Sequence, residues 1–489
     1  MLFNSLAFLL FLTAVTLVFY LLPQRYRWLW LLAASVYFYT SWEPRNLAYL
    51  VVVGGSACLC GRGIARSTDP RRRRAWLTVG LVFNLGLLVF FKYYDFVAGQ
   101  VLAGLQQAGA AGSDAAVPLL ELRTPVGFSF YTFSVVTYLV AVYRGQMDEA
   151  RPGSFALYVA YFPKIFAGPI ERARHFLPQV SRRVAFDPAL LVSGLQLVLW
   201  GLFKKVVIAD NLAPLVEQGF GNVQYGPPII LIVAVYAFAF QIYCDFSGYT
   251  DIAIGASRIL GYDLMENFRR PYLSRSPGEF WASRWHISLA TWFRDFMYIP
   301  LGGGRVAWYR VYFNLMAVFM VSGLWHAGLG YGVSWAFLVW GAVNGLYAWA
   351  GRATGPLWHW AGEHLPLVRD SLVWHVLRVL LTFHLITFSW IFFRAESVSD
   401  ALVVIRRIWA ALPMLPRMVP MFPFSTAHYM ALALVVVLLV LEVIDERRSL
   451  WERLQGVPVA LRWGFYYAVI FALLILGEWH AQEFIYMQF

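Results

Sequence analysis

Two histidines lie in contexts where an imidazole can do chemistry. His326 stands between two strongly apolar segments, in VSGLWHAGLGYGVSWAFLVWG, with Gly323, Gly328 and Gly330 close by. A titratable ring among apolar spans is costly, and it predicts a functional role when it faces a cavity. The alternative is a neutral imidazole that is hydrogen-bonded to a neighbouring carbonyl and serves only the fold.

His286 belongs to a second polar group, on a predicted helix. Ser288, Arg294 and Asp295 follow it, and helical spacing aligns His286, Ala290 and Arg294 in one stripe while Asp295 points elsewhere. Such a group can bind an anionic head group or orient a base. The alternative is a solvated face at a membrane interface.

Two carboxylates, Asp245 and Asp251, lie in or beside an apolar segment, in FQIYCDFSGYTDIAIG. A carboxylate at that depth needs a cation or water beside it, and we expect Arg269 or Arg270 to be that cation. We expect a structural ion pair, because acid–base work requires a site shared with the acceptor.

The composition places these residues in a membrane protein. Of 489 residues, 60% are apolar and only 13% are charged, whereas soluble domains are about 25% charged. The net charge of +12 is explained by short basic loops that meet lipid head groups, and we expect no nucleic-acid partner. Three cysteines cannot form a disulfide framework, and we expect no metal site.

Long apolar segments recur along the whole chain and predict an all-α, polytopic fold. We expect about 11–13 membrane helices together with re-entrant and interfacial helices, since each crossing needs about 20 apolar residues. The segments are 3–22, 28–42, 46–60, 76–97, 125–143, 155–170, 187–209, 228–247, 311–325, 331–350, 372–393, 427–445 and 461–479. The first of them lacks a cleavage site and is predicted to remain as a helix.

The loop 61–75 sets the predicted orientation. It carries six arginines against one acid, Asp69, and is cytoplasmic by the positive-inside rule. Residues 98–124 then lie on the outer side. Residues 257–310 mix arginines with aromatics, which predicts an interfacial amphipathic helix with Trp281, Trp285, Leu289 and Trp292 on one face.

Several common catalytic motifs do not occur. The sequence contains no H-E-x-x-H, G-x-x-x-x-G-K-[ST], G-x-S-x-G or paired C-x-x-C pattern. Zincin, nucleotide hydrolase and serine hydrolase interpretations therefore lose their usual support. What remains is histidine chemistry inside a membrane.

Long ordered blocks of the chain resemble the membrane-bound O-acyltransferase family. The signatures are FWASRWHISLATWFRDFMYIPLGG (280–303) and GLWHAGLGYGVSWAFLVWG (323–341), supported by YFPKIFAGPIERARHFLPQ, QIYCDFSGYTDIAIGASRILGY and FSWIFFRAES. They are most similar to the bacterial branch that includes the alginate O-acetyltransferase membrane subunit and the D-alanyl transfer protein of teichoic acids. The segment AGLGYGVS is longer and richer in glycine than the family form.

The resemblance implies a single membrane domain over 1–489 that encloses a tunnel reached from both faces. Its parts are the N-terminal helices (1–250), the segment of the first signature (257–310), the histidine region (311–350) and the C-terminal helices (351–489). It also implies that His326 and His286 are catalytic, with His326 as general base or as the site of a covalent acyl intermediate. We expect six residues to bind substrate: Trp285, Arg294, Asp295, Tyr298, Trp325 and Asn344.

We therefore expect an acetyltransferase of the bacterial inner membrane that uses acetyl-CoA and no bound cofactor. Its partners would be membrane lipids, a secreted polysaccharide such as alginate or cellulose, and a periplasmic acetyl-transfer protein. One alternative is D-alanyl transfer from a carrier protein to teichoic acid. The alternative from another class is a transporter or channel, although the halves of the chain show no repeat.

Overall fold

Helices make up most of the computed structural model, which describes residues 1–108, 120, 124–327, 334–364, 371–447, 449–479 and 484–485. The first half contains α1 (Leu6–Leu21), α2 (Gln24–Thr40), α3 (Asn46–Arg66), α4 (Pro70–Gln107), α5 (Phe128–Tyr143), α6 (Pro152–Ala160), α7 (Ala173–Ser181), α8 (Pro188–Leu202), α9 (Asp210–Phe220) and α10 (Pro228–Ile259).

The second half contains α11 (Pro277–Glu279), α12 (Ile287–Phe293), α13 (Trp308–His326), α14 (Trp335–His364), α15 (Leu372–Arg394), α16 (Val398–Ala411), α17 (Leu415–Met421), α18 (Thr426–Arg447), α19 (Leu450–Gln455) and α20 (Val459–Leu476). The predicted all-α fold is confirmed. Within the described residues, every predicted apolar segment falls largely on a helix, except that 155–170 is helical only at its start.

In the described part of the chain, seven helical stretches are long and apolar enough to cross a membrane. They are α3, α4, α8 continuing into α9, α10, α15, α18 and α20. The protein is therefore polytopic, while the larger number of 11–13 membrane helices stays a prediction. The expected outer segment 98–124 begins on α4, which continues to Gln107, and most of its remainder lies outside the described residues.

Four glycines bring α8 and α10 into backbone contact. A Cβ on Gly201 would lie 2.5 Å from the carbonyl oxygen of Gly248, and one on Gly248 would lie 2.7 Å from that of Gly201. Gly194 and Gly255 repeat the arrangement seven residues away on each helix, with corresponding distances of 2.7 and 2.6 Å. Small residues at such a crossing allow two helices to pack without intervening side chains. The pair anchors α10, which is buried along most of its length.

The buried carboxylates do not pair with the predicted arginines. Lys204 lies 2.7 Å from Asp251, and Lys205 lies 2.6 Å from Asp245 and 2.8 Å from Asp210. Both lysines sit on a π-helical turn, 203–209, between α8 and α9. The prediction failed because Lys204 and Lys205, which precede α9 in the sequence, lie next to these aspartates in the folded chain. The arginines bind other acids.

Arg269 instead pairs with Glu266, and Arg270 pairs with Asp445 and Glu446 on α18. The structural role predicted for the carboxylate pair is consistent with their ion pairing. Asp245, Asp251 and the two lysines are therefore paired with one another inside the protein, as a membrane interior favours.

Residues 257–310 do not form one amphipathic helix, so that prediction is wrong. A π-helical turn, 280–284, ends at Trp285, and His286 adopts a left-handed conformation with φ of 43° before α12 begins. Trp285 and Trp292 are buried in the core rather than lying on an interface. Hydrogen bonds from the preceding loop, described below, stabilise this break.

A charged hydrogen bond ties α7 to that loop. His175 Nδ1 lies 2.5 Å from Glu171 Oε1, and Glu171 Oε2 accepts the backbone N–H of Met265 at 2.8 Å. His175 Nε2 lies 3.6 Å from Asp263. The hydrogen bond with Glu171 is the main reason that the pKa of His175 is raised above its usual value. Protonation of His175 therefore strengthens its bond to Glu171, which holds the loop that leads to Asn267.

We expect Gly248→Ala to destabilise the protein, because the added methyl meets the backbone of α8. Overpacking of this kind costs about 1–3 kcal/mol, and thermal unfolding of the purified protein measures it. Gly86→Ala on α4 is the control, since a Cβ there meets nothing within 4 Å and alanine favours the helix. Equal unfolding temperatures for Gly248→Ala and the wild type would contradict the close crossing.

We expect His175→Gln to destabilise the protein more at pH 6 than at pH 9. A raised pKa means that the charged bond contributes fully below the unfolded pKa and is lost as the pH rises through the folded value. The difference in unfolding temperature between wild type and variant at both pH values tests this. His384→Gln is the control, because His384 is an exposed ring with no ion pair in the described part of the chain. A difference that does not change with pH would exclude the charged bond.

Candidate active site

His286 and His326 both line one cavity of about 860 Å³. The cavity lies among α12, α13, α14 and α15, and most of its lining side chains are apolar. Each ring is 97% buried, yet the same cavity is also lined by exposed Arg294 and Arg352. The cavity that both imidazoles line therefore extends to the protein surface.

His326 is the last residue of α13, and a helix crossing fixes its position. A Cβ on Gly323 would lie 2.5 Å from the carbonyl oxygen of Phe337, and one on Gly341 would lie 2.6 Å from that of Phe319. The backbones of α13 and α14 therefore touch one turn before His326. Its ring is framed by aromatic groups, with ring centroids 4.5 Å away at Trp325, 5.3 Å at Trp340 and 5.1 Å at Phe393.

Asn267 orients His286 from the preceding loop. Asn267 Oδ1 lies 2.9 Å from His286 Nδ1 and accepts hydrogen bonds from the Ser288 hydroxyl at 2.9 Å and the Ser288 backbone N–H at 3.3 Å. A backbone N–H can only donate, so this amide atom is an acceptor and His286 Nδ1 carries a proton toward it. The Ser288 hydroxyl in turn accepts the N–H of Ile170 at 3.0 Å.

That arrangement leaves the other nitrogen of His286 as the basic one. In a neutral imidazole with Nδ1 protonated, Nε2 carries the lone pair. His286 Nε2 is buried and has no hydrogen-bond partner in the described structure. The protein thus presents one oriented proton acceptor to the cavity beside a second imidazole, His326. Such an arrangement can accept a hydrogen bond or a proton from a bound hydroxyl.

Tryptophans form one wall of the cavity. Trp281, Trp285 and Trp340 line it, and Trp281 packs edge-on against Trp340 at 5.4 Å. Asn344 holds this pair, because it accepts the Trp281 indole N–H at 2.9 Å and donates to the Trp340 carbonyl at 2.9 Å. A wall of this kind limits water around a bound substrate.

The predicted substrate-binding residues fall into two groups. Trp285, Arg294 and Tyr298 line the cavity. Trp325 and Asn344 are not among the described lining residues. Trp325 packs against the ring of His326, and Asn344 accepts a hydrogen bond from Trp281, which does line the cavity. Asp295 faces a second cavity next to Arg294. The glycine-rich segment 328–333 that follows His326 lies outside the described residues.

Some contributors to the site went unpredicted. Asn267 is one polar residue among many in a loop, and nothing in its local sequence indicates that it contacts His286. Lys92 on α4 is buried and donates to the carbonyl oxygen of Trp325 at 2.6 Å, which braces the end of α13. A lysine within the apolar run LVFFKYYDF was a signal that could have indicated such a role.

Comparisons with known proteins agree on one family. The model of the membrane-bound O-acyltransferase family matches residues 75–396. The chain is 36% identical to a probable alginate O-acetylase, AlgI, of Azotobacter vinelandii, over 82% of this chain and 76% of that protein. It is 33% identical to a peptidoglycan O-acetyltransferase of Helicobacter pylori, over 77% and 73% respectively.

A more distant relative marks the breadth of the similarity. A teichoic acid D-alanyltransferase of Bacillus subtilis is 27% identical over 57% of this chain and 71% of that protein. The family match covers α12, α13 and α14, which carry or flank both cavity histidines. The chain belongs to the membrane-bound O-acyltransferase family and is an O-acyltransferase.

Proposed function

We propose that the protein transfers an acetyl group from acetyl-CoA to a hydroxyl group in the O-acetylation of a secreted polysaccharide, in the inner membrane of a bacterium. The observation that carries the proposal is that one mostly apolar cavity contains both histidine rings and reaches the surface. The relatives named for acetyl transfer match more of this chain than the one named for D-alanyl transfer, which favours acetyl. Belonging to an enzyme family removes the support for a transporter or channel.

In the proposed reaction His326 is the general base. The acceptor oxygen attacks the thioester carbonyl carbon while His326 takes the hydroxyl proton. The carbon–sulfur bond then breaks, and His326 gives that proton to the leaving thiolate. His286 Nε2 accepts a hydrogen bond from a substrate donor and orients it, a role supported by the fixed Nδ1 proton. Trp285 and Tyr298 border the space that the acyl and acceptor groups occupy. An acyl-histidine at His326 is the alternative route to the same products.

The acceptor side of the proposal involves a second protein. Acetyl-CoA is cytoplasmic and the polymer is outside, so the acetyl group crosses the membrane while the charged nucleotide does not. A cavity with a base at its centre suits this requirement. We propose that a periplasmic acetyl-transfer protein receives the group and delivers it to the polysaccharide.

We expect His326→Ala to lower acetyl transfer by at least about 10²-fold, the usual contribution of a general base. The O-acetyl content of the secreted polymer and transfer from labelled acetyl-CoA in membrane vesicles measure the loss, and immunoblotting measures protein abundance. His384→Ala, which changes an exposed histidine on α15, is the control.

Full acetylation by His326→Ala at normal abundance would overturn the catalytic assignment. Label that enters from an alanyl-carrier protein but not from acetyl-CoA would replace the acetyl proposal with D-alanyl transfer.

We expect Asn267→Leu to lower kcat at least about tenfold with a smaller change in KM. The substitution removes the acceptor for the His286 Nδ1 proton, so the ring is no longer held in one orientation. Asn267→Asp keeps an oxygen that accepts from His286 Nδ1, and we expect it to recover much of the lost rate. Steady-state kinetics on purified protein measure both. Asn314→Leu is the control, since Asn314 is a fully buried amide that caps a loop outside the cavity. Similar kinetics for Asn267→Leu and Asn314→Leu would contradict the orienting role.

A further inference from the structure

A second, smaller cavity of about 210 Å³ lies beside the first. It is bounded by the end of α5, the start of α7 and the π-helical turn 294–298, and Arg294 lines both cavities. The charged lining residues of this arginine pocket are Arg144, Arg172, Arg174, Arg294 and Asp295. Four guanidinium groups against one carboxylate make it strongly basic.

Arg172 supplies the strongest sign of a ligand. Its side chain is 92% buried and packs over the ring of Phe296 at 5.0 Å. Nη2 donates to Asp295 at 3.0 Å and to Thr291 at 3.4 Å. Nη1 is buried with no hydrogen-bond partner in the described structure. A buried guanidinium N–H without an acceptor is costly, so this pocket is built to receive one.

The single carboxylate does not neutralise the pocket. Asp295 is shared between Arg172 and Arg294, whose Nε lies 2.9 Å from it. Arg144 and Arg174 are exposed and have no ion pair in the part of the chain that the structure describes. The planar donors of arginine match the oxygens of a phosphate group, which can accept from several guanidinium groups at once.

We propose that the arginine pocket binds a phosphate group of the acyl donor, at the far end of the pantetheine arm whose thioester reaches His326. This inference rests on the proposed function and extends it, since it assigns residues to the recognition of the donor. Arg172 Nη1 donates to the phosphate, Arg144 and Arg174 close over it from the solvent side, and Arg294 stands between the phosphate and the reaction cavity.

The spacing along α5 agrees with the length of such an arm. Phe133 stacks on Trp325, next to His326, at 5.6 Å, and Arg144 directly follows the end of α5. Eleven residues of helix advance about 16 Å. A pantetheine arm has about as many backbone bonds as four to five residues and spans about 15 Å when extended. The advance along α5 from Phe133 to Arg144 is therefore close to the length of one extended arm.

The pocket also lies at the end of the protein that the basic loop marks as cytoplasmic. Arg73, at the start of α4, donates to the carbonyl oxygen of Tyr143 at 2.9 Å, one residue before Arg144. By the positive-inside rule this is the side where a cytoplasmic nucleotide donor arrives.

The test compares donors with and without phosphate, using full-length protein in nanodiscs. We expect the ratio of kcat/KM for acetyl-CoA to kcat/KM for acetyl-pantetheine to fall at least tenfold in the double variant Arg144→Ala, Arg174→Ala. Both positions are exposed, so the fold is retained. The control is Arg72→Ala, Arg74→Ala, which removes two exposed charges from the same end of the protein but outside the pocket. A ratio that falls no further than in the control overturns the proposal.

A binding measurement separates this proposal from the proposed function. Adenosine 3′,5′-bisphosphate is titrated into each protein and followed by tryptophan fluorescence. We expect at least tenfold weaker binding in the pocket variant than in the control, even if no acetyl transfer is detected with any acceptor. The assays are repeated with neutral phosphatidylcholine and with added phosphatidylglycerol. If the pocket variant changes only the response to phosphatidylglycerol, the site belongs to a lipid head group and the donor assignment is overturned.

Discussion

One amide oxygen organises the local structure around His286 in the candidate active site. Asn267 Oδ1 accepts from the backbone and the hydroxyl of Ser288 and from His286 Nδ1, and it thereby holds the left-handed residue at which the chain turns from one short helix into the next. The strained backbone of His286 persists because these bonds over-determine it. Moving that oxygen would change the tautomer of the ring, the start of α12 and the wall of the cavity together.

The same logic governs the charges around the site. Burial away from water favours polar groups that find partners in the protein, and several charged side chains around the site do so. Lys204 and Lys205 satisfy the aspartates of α10 at a π-helical turn, where the helix widens. Glu171 and His175 hold the loop before Asn267. These contacts lie outside the cavity, and they give the two histidines a rigid frame.

Features that depend on contiguous residues could be predicted from the sequence. Long apolar runs are properties of contiguous residues, so the helices and the all-α class could be predicted, and the contexts of His326 and His286 indicated both rings that the cavity contains. The break at His286 could not be predicted, because it depends on Asn267, a side chain nineteen residues away in an irregular loop. The partners of Asp245 and Asp251 were missed although Lys204 and Lys205 stand inside an apolar run, where an unexplained cation indicates a buried acid. The close packing of α13 against α14 could not be predicted either, because it depends on which glycines face each other.

In the proposed reaction the two cavities hold different ends of the acyl donor. A phosphate cannot enter an apolar cavity without losing its hydration, and a thioester attacked in water has many competing nucleophiles. A basic pocket near the surface and a histidine-lined apolar cavity therefore suit opposite ends of one donor. Arg294 lines both, and its ion pair with Asp295 ties it to Arg172 through a shared carboxylate. A phosphate bound to Arg172 would compete with Asp295 for that guanidinium and leave more of the carboxylate's charge to Arg294. If the arginine pocket binds phosphate as proposed, its occupancy is coupled through one carboxylate to Arg294, which also lines the reaction cavity.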